Sequence, residues 1–354
     1  MKDKNENKPG RWKRVLLTIF CVLLALILAA TACVGVYVNY LLGKIKRVEM
    51  GNEATISPSQ VEDLLASDPD LSPIDPSESL PNLDDVVFPE EDPKPVTKPD
   101  HIINILLIGQ DTREEGVRAR SDSMILVTFN TKSKAITFTS FMRDAYVQIP
   151  GYSANKLNHA YQYGGMKLLN ETLELNFGVQ VDGDVEIDFS SFQKIIDLLG
   201  GVEITLNAAE VKYMNHLTKW GLVVGINRLT GEQALVYARL REIDDDYRRT
   251  ERQRTVLMAL AEAYKDQPVD RMLALLEEIL GLVTTNLSND KIWEYALRVV
   301  PMLSGSSFGT EQIPANGTFN QGNVQVRPGL KGWFQYHIDF ETNRERLRRI
   351  FDMP

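Results

Sequence analysis

Val15 to Val38 is a run of 24 residues without one charged side chain. As a helix it would extend about 36 Å, enough to cross a hydrocarbon core of about 30 Å. No other run approaches that length, which predicts a single-pass protein. Before the run, residues 1–14 carry Lys2, Lys4, Lys8, Arg11, Lys13 and Arg14 against Asp3 and Glu6; after it come Lys44, Lys46 and Arg47. The asymmetry predicts a cytoplasmic tail over 1–14, a transmembrane anchor over 15–42 and an extracellular remainder. Trp12, Tyr37 and Tyr40 fall where interfacial aromatics belong. A cleaved signal peptide would have a shorter apolar core. Thr31-Ala32-Cys33 is faintly like a lipoprotein cleavage site, but the apolar run continues past it. Both cysteines, Cys21 and Cys33, lie inside the run. Beyond it there can be no disulfide scaffold, cysteine-ligated zinc or cysteine nucleophile.

The next segment differs in kind. Residues 51–100 hold thirteen Asp and Glu, two Lys and nine of the sixteen prolines. The segment carries a net charge of -11, which leaves +2 for the rest of a chain whose total is -9. Proline and acid at this density predict an extended spacer over 43–100 that does not order itself, with room for a short helix near Ser57–Ala66. A chain with this charge is not a nucleic-acid binder overall.

From His101 the pattern becomes that of a folded domain, expected to run over 101–354. IINILLIG, MILVTFN and AITFTSFM are β-branched and apolar, as buried strands are. Lys156 to Phe177 reads as helix, VDGDVEIDF as strand, SFQKIIDLLGG as a glycine-closed helix and VEITL as strand. NAAEVKYMNHL and TGEQALVYAR read as helices, the second with a threonine cap. Amphipathic helices follow over 255–265, 269–285 and 290–303, and on their own they read as core. A strand WFQYHIDF and a basic helix ETNRERLRRIF close the chain. Interleaved strands and helices predict an α/β fold, an α/β/α domain around a central mixed sheet.

Charged residues stand at the ends of the predicted strands. Asp111 and Arg113 follow the first, Arg120 and Asp122 precede the second, and Arg143 and Asp144 follow the third. In open α/β sheets ligands bind at strand ends. Lys156 and Asn158 come next, at a helix start that favours anions. Residues 237–254, YARLREIDDDYRRTERQR, then place six arginines among five carboxylates. Arg239 and Arg241 are two apart; Asp246, Arg249 and Arg252 or Gln253 share a helix face. A solvated, ion-paired face is the plain account of such a run. Collected with the strand-end pairs, it fits a pyrophosphate, because guanidinium forks bind phosphate oxygens bidentately. The aspartates would repel phosphate unless a divalent cation lay between, and Asp111 and Asp122 are candidates to hold Mg²⁺ or Mn²⁺. Asp182-Gly183-Asp184 and Asp244-Asp245-Asp246 are too common as tripeptides to signal a metal site, and the four histidines lack ligand spacing. No P-loop or HExxH motif is present.

In order, NILLIGQDTR (104–113), RSDSMILV (120–127), SFMRDAYVQIPG (140–151), KLNHAYQYGG (156–165), VDGDVEIDFSSFQKIIDLLGGVEI (181–204), LTGEQALVYARLR (229–241) and DDDYRRTERQ (244–253) resemble the LytR–CpsA–Psr family of cell-envelope glycopolymer ligases. The resemblance implies an α/β/α domain with a long apolar pocket for a polyprenyl chain. It implies transfer of a glycopolymer from a polyprenyl-(pyro)phosphate carrier to a peptidoglycan hydroxyl at the outer face of the bilayer, assisted by Mg²⁺. Carried over by motif, Asp111 and Asp122 would hold the metal. Arg120, Arg143, Lys156, Arg239, Arg241 and Gln253 would grip the pyrophosphate, with Asp246, Arg249 and Arg252 completing or orienting that shell. Arg113, Asp144 and Asn158 would support it. Arg248 departs from the pattern, where a small residue often follows the aromatic. Two other functions stay open on the residues alone: a non-catalytic regulator that binds such lipids, and a pyrophosphatase that uses water. Asp144 and Asp122 are both candidates for the base.

Overall fold

The computed structural model describes residues 35–51, 53–81, 83, 85–89, 98–110, 118–265, 267–303 and 305–352. It divides into two compact units, Met1–Ile45 and Lys46–Pro354. In the first, residues 35–42 form a helix, α1. Among the described residues no helix is long and apolar enough to cross a membrane. The anchor expected over 15–42 lies outside them except for 35–42.

The second unit opens with β1 (Lys46–Arg47), α2 (Pro58–Ala66) and β2 (Leu71–Pro73). Three long strands follow, β3 (Ile102–Gln110), β4 (Ser121–Asn130) and β5 (Ala135–Phe141), then the short pair β6 (Tyr146–Val147) and β7 (Asn155–Lys156). After α3 (Leu157–Phe177) come β8 (Gly183–Asp188), α4 (Phe189–Leu198), β9 (Val202–Leu206), α5 (Ala208–Thr218), β10 (Gly225–Leu229) and α6 (Gly231–Arg239). The rest is α7 (Asp246–Lys265), α8 (Val269–Leu280), β11 (Thr284–Thr285), α9 (Asn289–Leu303), β12 (Ser307–Ile313), β13 (Asn320–Arg327), β14 (Leu330–Tyr336) and α10 (Phe340–Asp352).

Among the described residues, seven strands form the central sheet in the order β1-β11-β8-β3-β4-β5-β12. β3 pairs antiparallel with β4 and parallel with β8, and β5 pairs antiparallel with β4 and parallel with β12, so the sheet is mixed as expected. Period-two alternation builds two cores. Leu106, Ile108, Met124 and Leu126 pack with α3 and α10 on one face. Ile125, Val127, Ile136 and Phe138 pack near Leu257, Met258, Val299 and Met302 of α7 and α9 on the other. A third cluster surrounds the β9–β10 ladder, with Ile204, Met214, Tyr237 and Val256. Because β3, β4 and β5 alternate in direction, the end of β3, the start of β4 and the end of β5 reach the same edge of the sheet. That edge is where the site forms.

The spacer expected over 43–100 is not one throughout. β1 joins the central sheet, α2 packs Val61 into the main core, and β2 pairs with β14. Composition misled because the acids are partnered. The Glu53 carboxylate accepts the backbone N–H groups of Met166 and Lys167, just past the kink of α3 at Gly164 and Gly165. Glu62 pairs with Arg327 and Glu78 with Lys331. The prolines stand where proline is tolerated: Pro58 is the first residue of a helix capped by Ser57, and Pro73 ends an edge strand. Residues 90–97 of the same stretch lie outside the described residues.

Candidate active site

Sequence-local effects set the positions of the charged groups. The three aspartates at the start of α7, Asp244, Asp245 and Asp246, do three different things. Asp245 accepts the backbone N–H of Arg248 and starts the helix. Asp244 takes both Nη groups of Arg252, at 2.6 and 2.8 Å. Asp246 meets Arg249 at 2.9 Å and Arg241 at 3.6 Å. One turn along, Arg249 and Gln253 face a cavity, whereas Arg252 points away from it, donating also to the Leu240 carbonyl. Arg252, expected to complete the phosphate shell, instead braces the loop between α6 and α7.

The cavity encloses about 530 Å³ between the sheet and the helices α4 to α7. Its walls are apolar: Leu107, Ile125, Val185, Phe192, Leu235 and Leu257 are among them. Its mouth is polar, with the charged Asp122, Arg143, Arg239, Arg241, Glu242 and Arg249 and the neutral amide of Gln253. Arg239 stacks on Phe189 with 4.5 Å between guanidinium and ring centre. The apolar helices over 255–303 supply only Leu257 to these walls, so they serve mainly as core and the cavity is built elsewhere.

Arg143 is the hub. Its Nη1 lies 2.9 Å from Asp122 Oδ1, and its Nε 3.4 Å from Asp144 Oδ2. Asp144 in turn forms an ion pair with Lys156, its Oδ1 2.9 Å from Nζ. Burial works against the charge on Arg143, but Asp144, Asp122 and Asp246 outweigh it and hold its pKa above the ordinary value. Burial likewise works against ionised Asp144, yet Arg143 and Lys156 keep that carboxyl below the usual range. Asp246 behaves oppositely: burial, reinforced by Asp144, pushes it up to about 6.

A second cationic group sits beside this one. Arg120 Nη1 lies 3.0 Å from Asp68 and 2.9 Å from Asp70, and it is not part of the cavity lining. Asp68 also meets His159 at 3.3 Å, and Asp70 is 4.0 Å from Lys156. Arg120 and Lys156, expected on the pyrophosphate, are thus engaged by two carboxylates that the sequence placed in a spacer. Asn158 is fully buried; its backbone N–H donates to the Arg143 carbonyl and its side chain has no hydrogen-bond partner among the described residues. Asp111 and Arg113 lie outside the described residues. Arg248, the departure from the family pattern, is exposed and paired with Glu251. Asp68, Asp70, His159 and Phe189 were missed, and only the cation-rich surroundings of Asp68 could have hinted at a role, after folding.

The aspartates of the remaining acidic tripeptide are engaged by neighbouring side chains and backbone. Asp182 pairs with Lys98 and accepts the Asn104 backbone N–H. Asp184 is buried under the side-chain amides of Asn170 and Asn286. Among the described residues no group of three acidic, histidine or cysteine side chains could hold a metal ion. Asp122 is a partly exposed carboxylate at the charged mouth, which suits a hard cation that shares its shell with phosphate oxygens.

The LytR_cpsA_psr family model matches residues 79–330. A polyisoprenyl-teichoic acid–peptidoglycan teichoic acid transferase, TagT of Bacillus subtilis (strain 168), is 34% identical over 221 residues, 60% of this chain and 67% of the relative. Regulatory protein MsrR of Staphylococcus aureus (strain Mu50) is 34% identical over 265 residues, 72% of this chain and 76% of the relative. A solved structure described as LytR-CPS2A-psr family protein YwtF (TagT) with bound octaprenyl pyrophosphate lipid is similar with a TM-score of 0.53 and 26% identity, covering 75% of this chain and 95% of that one. The chain belongs to the LytR_cpsA_psr family.

Proposed function

We propose that this chain is a membrane-anchored phosphotransferase that moves a glycopolymer from a polyprenyl-pyrophosphate carrier to a hydroxyl of peptidoglycan, on the outer side of the cell membrane. The observation that carries this is a single cavity with apolar walls and four arginines at its mouth. Apolar walls suit a polyprenyl tail, and the arginine forks suit the pyrophosphate at its end. The transferase named among the relatives and the lipid-bound structure support the same reading.

In this mechanism Arg143, Arg239, Arg241 and Arg249 hold the phosphate oxygens, and Asp122 and Asp144 keep Arg143 charged and oriented. Asp122, together with Asp111, would hold Mg²⁺ or Mn²⁺. When bound, that cation neutralises charge between carboxylates and phosphate. The acceptor oxygen forms the new bond to phosphorus as the bond to the lipid phosphate breaks. Proton acceptance is assigned to Asp246, whose raised pKa suits a base near neutral pH, rather than to Asp144, which its cations hold low.

The test follows release of lipid monophosphate from polyprenyl-pyrophosphate-linked glycan by the full chain in detergent, with and without EDTA and with and without peptidoglycan. Arg143→Ala and Asp122→Asn should each reduce release by about 100-fold or more, the scale of losing one transition-state donor. Tight lipid binding with no release in any arm would make the protein a lipid-sensing regulator instead. Release that never depends on peptidoglycan would make it a pyrophosphatase.

A further inference from the structure

A second cleft, of about 780 Å³, opens on the far side of the arginine hub. The chain itself forms the partition. Arg143 lines the first cavity, while its neighbours Met142 and Asp144 line the second. Arg249 lines the first, while Asp246 and Arg248 line the second. The carboxylate assigned as base, Asp246, therefore lines the second space while pairing with Arg241 and Arg249 of the first.

One wall of the cleft is a face of the β13–β14 hairpin. Trp333 and Gln335 are two apart on β14, so they share a face, and Gln321 is the register partner of Gln335. The opposite face of the hairpin packs Val324, Phe334 and Tyr336 into a small core. Trp333 is nevertheless 48% exposed. Gln335 is 3% exposed, and its Oε1 has no hydrogen-bond partner. Its backbone N–H donates to the Asp144 carbonyl at 2.9 Å, which ties this wall to the catalytic turn. Five carboxylates and three arginines line the cleft, so it repels a polyanion rather than attracting one. Two of those arginines are already paired within it, Arg248 with Glu251 and Arg346 with Glu311.

An exposed indole face, side-chain amides that both donate and accept, and no surplus of positive charge suit a sugar chain. Pyranose rings present an apolar C–H face to an aromatic and a rim of hydroxyls to amides. We propose that this cleft is the acceptor subsite: it holds an uncharged stretch of glycan, with one ring against Trp333 and the attacking hydroxyl directed at the partition. The proposal rests on the transferase reading and adds where its second substrate binds.

The experiment titrates the full chain in detergent with neutral β-1,4-linked N-acetylglucosamine oligosaccharides, by isothermal calorimetry, beside poly(glycerol phosphate) as a polyanionic arm and a polyprenyl pyrophosphate as the donor arm. The glycan should bind, Trp333→Ala should weaken it at least 10-fold, and Trp333→Phe should recover most of the loss, with unchanged melting temperatures showing that both variants fold. Equal glycan affinity in wild type and Trp333→Ala overturns the proposal. So does preferential binding of poly(glycerol phosphate) in a manner that depends on Trp333. Absence of glycan binding in a preparation that binds the pyrophosphate lipid overturns it too, and leaves the donor site standing. Glycan binding through Trp333 without any donor binding keeps the cleft and removes the transferase reading.

Discussion

Asp184 is a carboxylate with no exposed surface. Its Oδ2 accepts from the amides of Asn170 and Asn286, and its Oδ1 has no partner. Burial pushes its pKa from 3.8 up to about 7. The folded state therefore binds a proton that the unfolded state has lost between roughly pH 4 and 7. A raised carboxylate of this kind makes stability fall as pH rises through that window, by roughly 4 kcal/mol at the top of it. Asp184→Asn keeps an acceptor for both asparagines and puts its NH₂ where an oxygen has no partner. The variant should melt higher than wild type at pH 8, and the gap should narrow or close at pH 5. A gap that stays constant between those pH values in scanning calorimetry would show that Asp184 is not the titrating group. At this scale the sequence was legible in identity but not in direction. Arg249, Arg252 and Gln253 looked alike on a helical wheel, and three residues of separation decided which guanidinium faced the cavity and which faced Asp244. His159 carried no sequence signal at all, since its partner Asp68 is 91 residues away.

Elements with a clear period were legible. The long strands β3, β4 and β5 and the capped helices α4, α5 and α6 fall close to where alternation and capping residues place them. β11 is two residues long and β12 reads SFGTEQI, with a glycine and a carboxylate, so neither announces itself as a strand. Both are recruited by a neighbour's unpaired edge. The segment before β3 was misread for a related reason: composition measures what a segment can bury alone, whereas this one is held by partners elsewhere. A chain started at residue 95 would lose β1, α2, β2, the Glu53 contact to α3 and both carboxylates on Arg120. It should melt well below a chain started at Lys46, or express in aggregated form. Equal melting temperatures for the two in a thermal scan would show that residues 46–94 are accessory to the fold.

For the whole molecule, alternating strands and helices implied a mixed sheet with helices on both faces, and that layering is present. The cavity was legible only through the family resemblance and not from the residues themselves, because Leu107, Ile125 and Val185 look the same in a sequence whether they meet a side chain or an empty space. The partition between the two openings has a consequence for traffic. Donor and acceptor that enter by separate doors can be resident together, and neither has to leave before the other arrives. Initial rates measured across a grid of both substrates should then give intersecting reciprocal lines. Parallel lines, the mark of a covalent relay through the enzyme, would mean that one door serves both. Under the proposed transfer, two doors would let the spent lipid phosphate retreat the way it came while the lengthened wall strand stays where it is, so that the carrier is released without letting go of the wall.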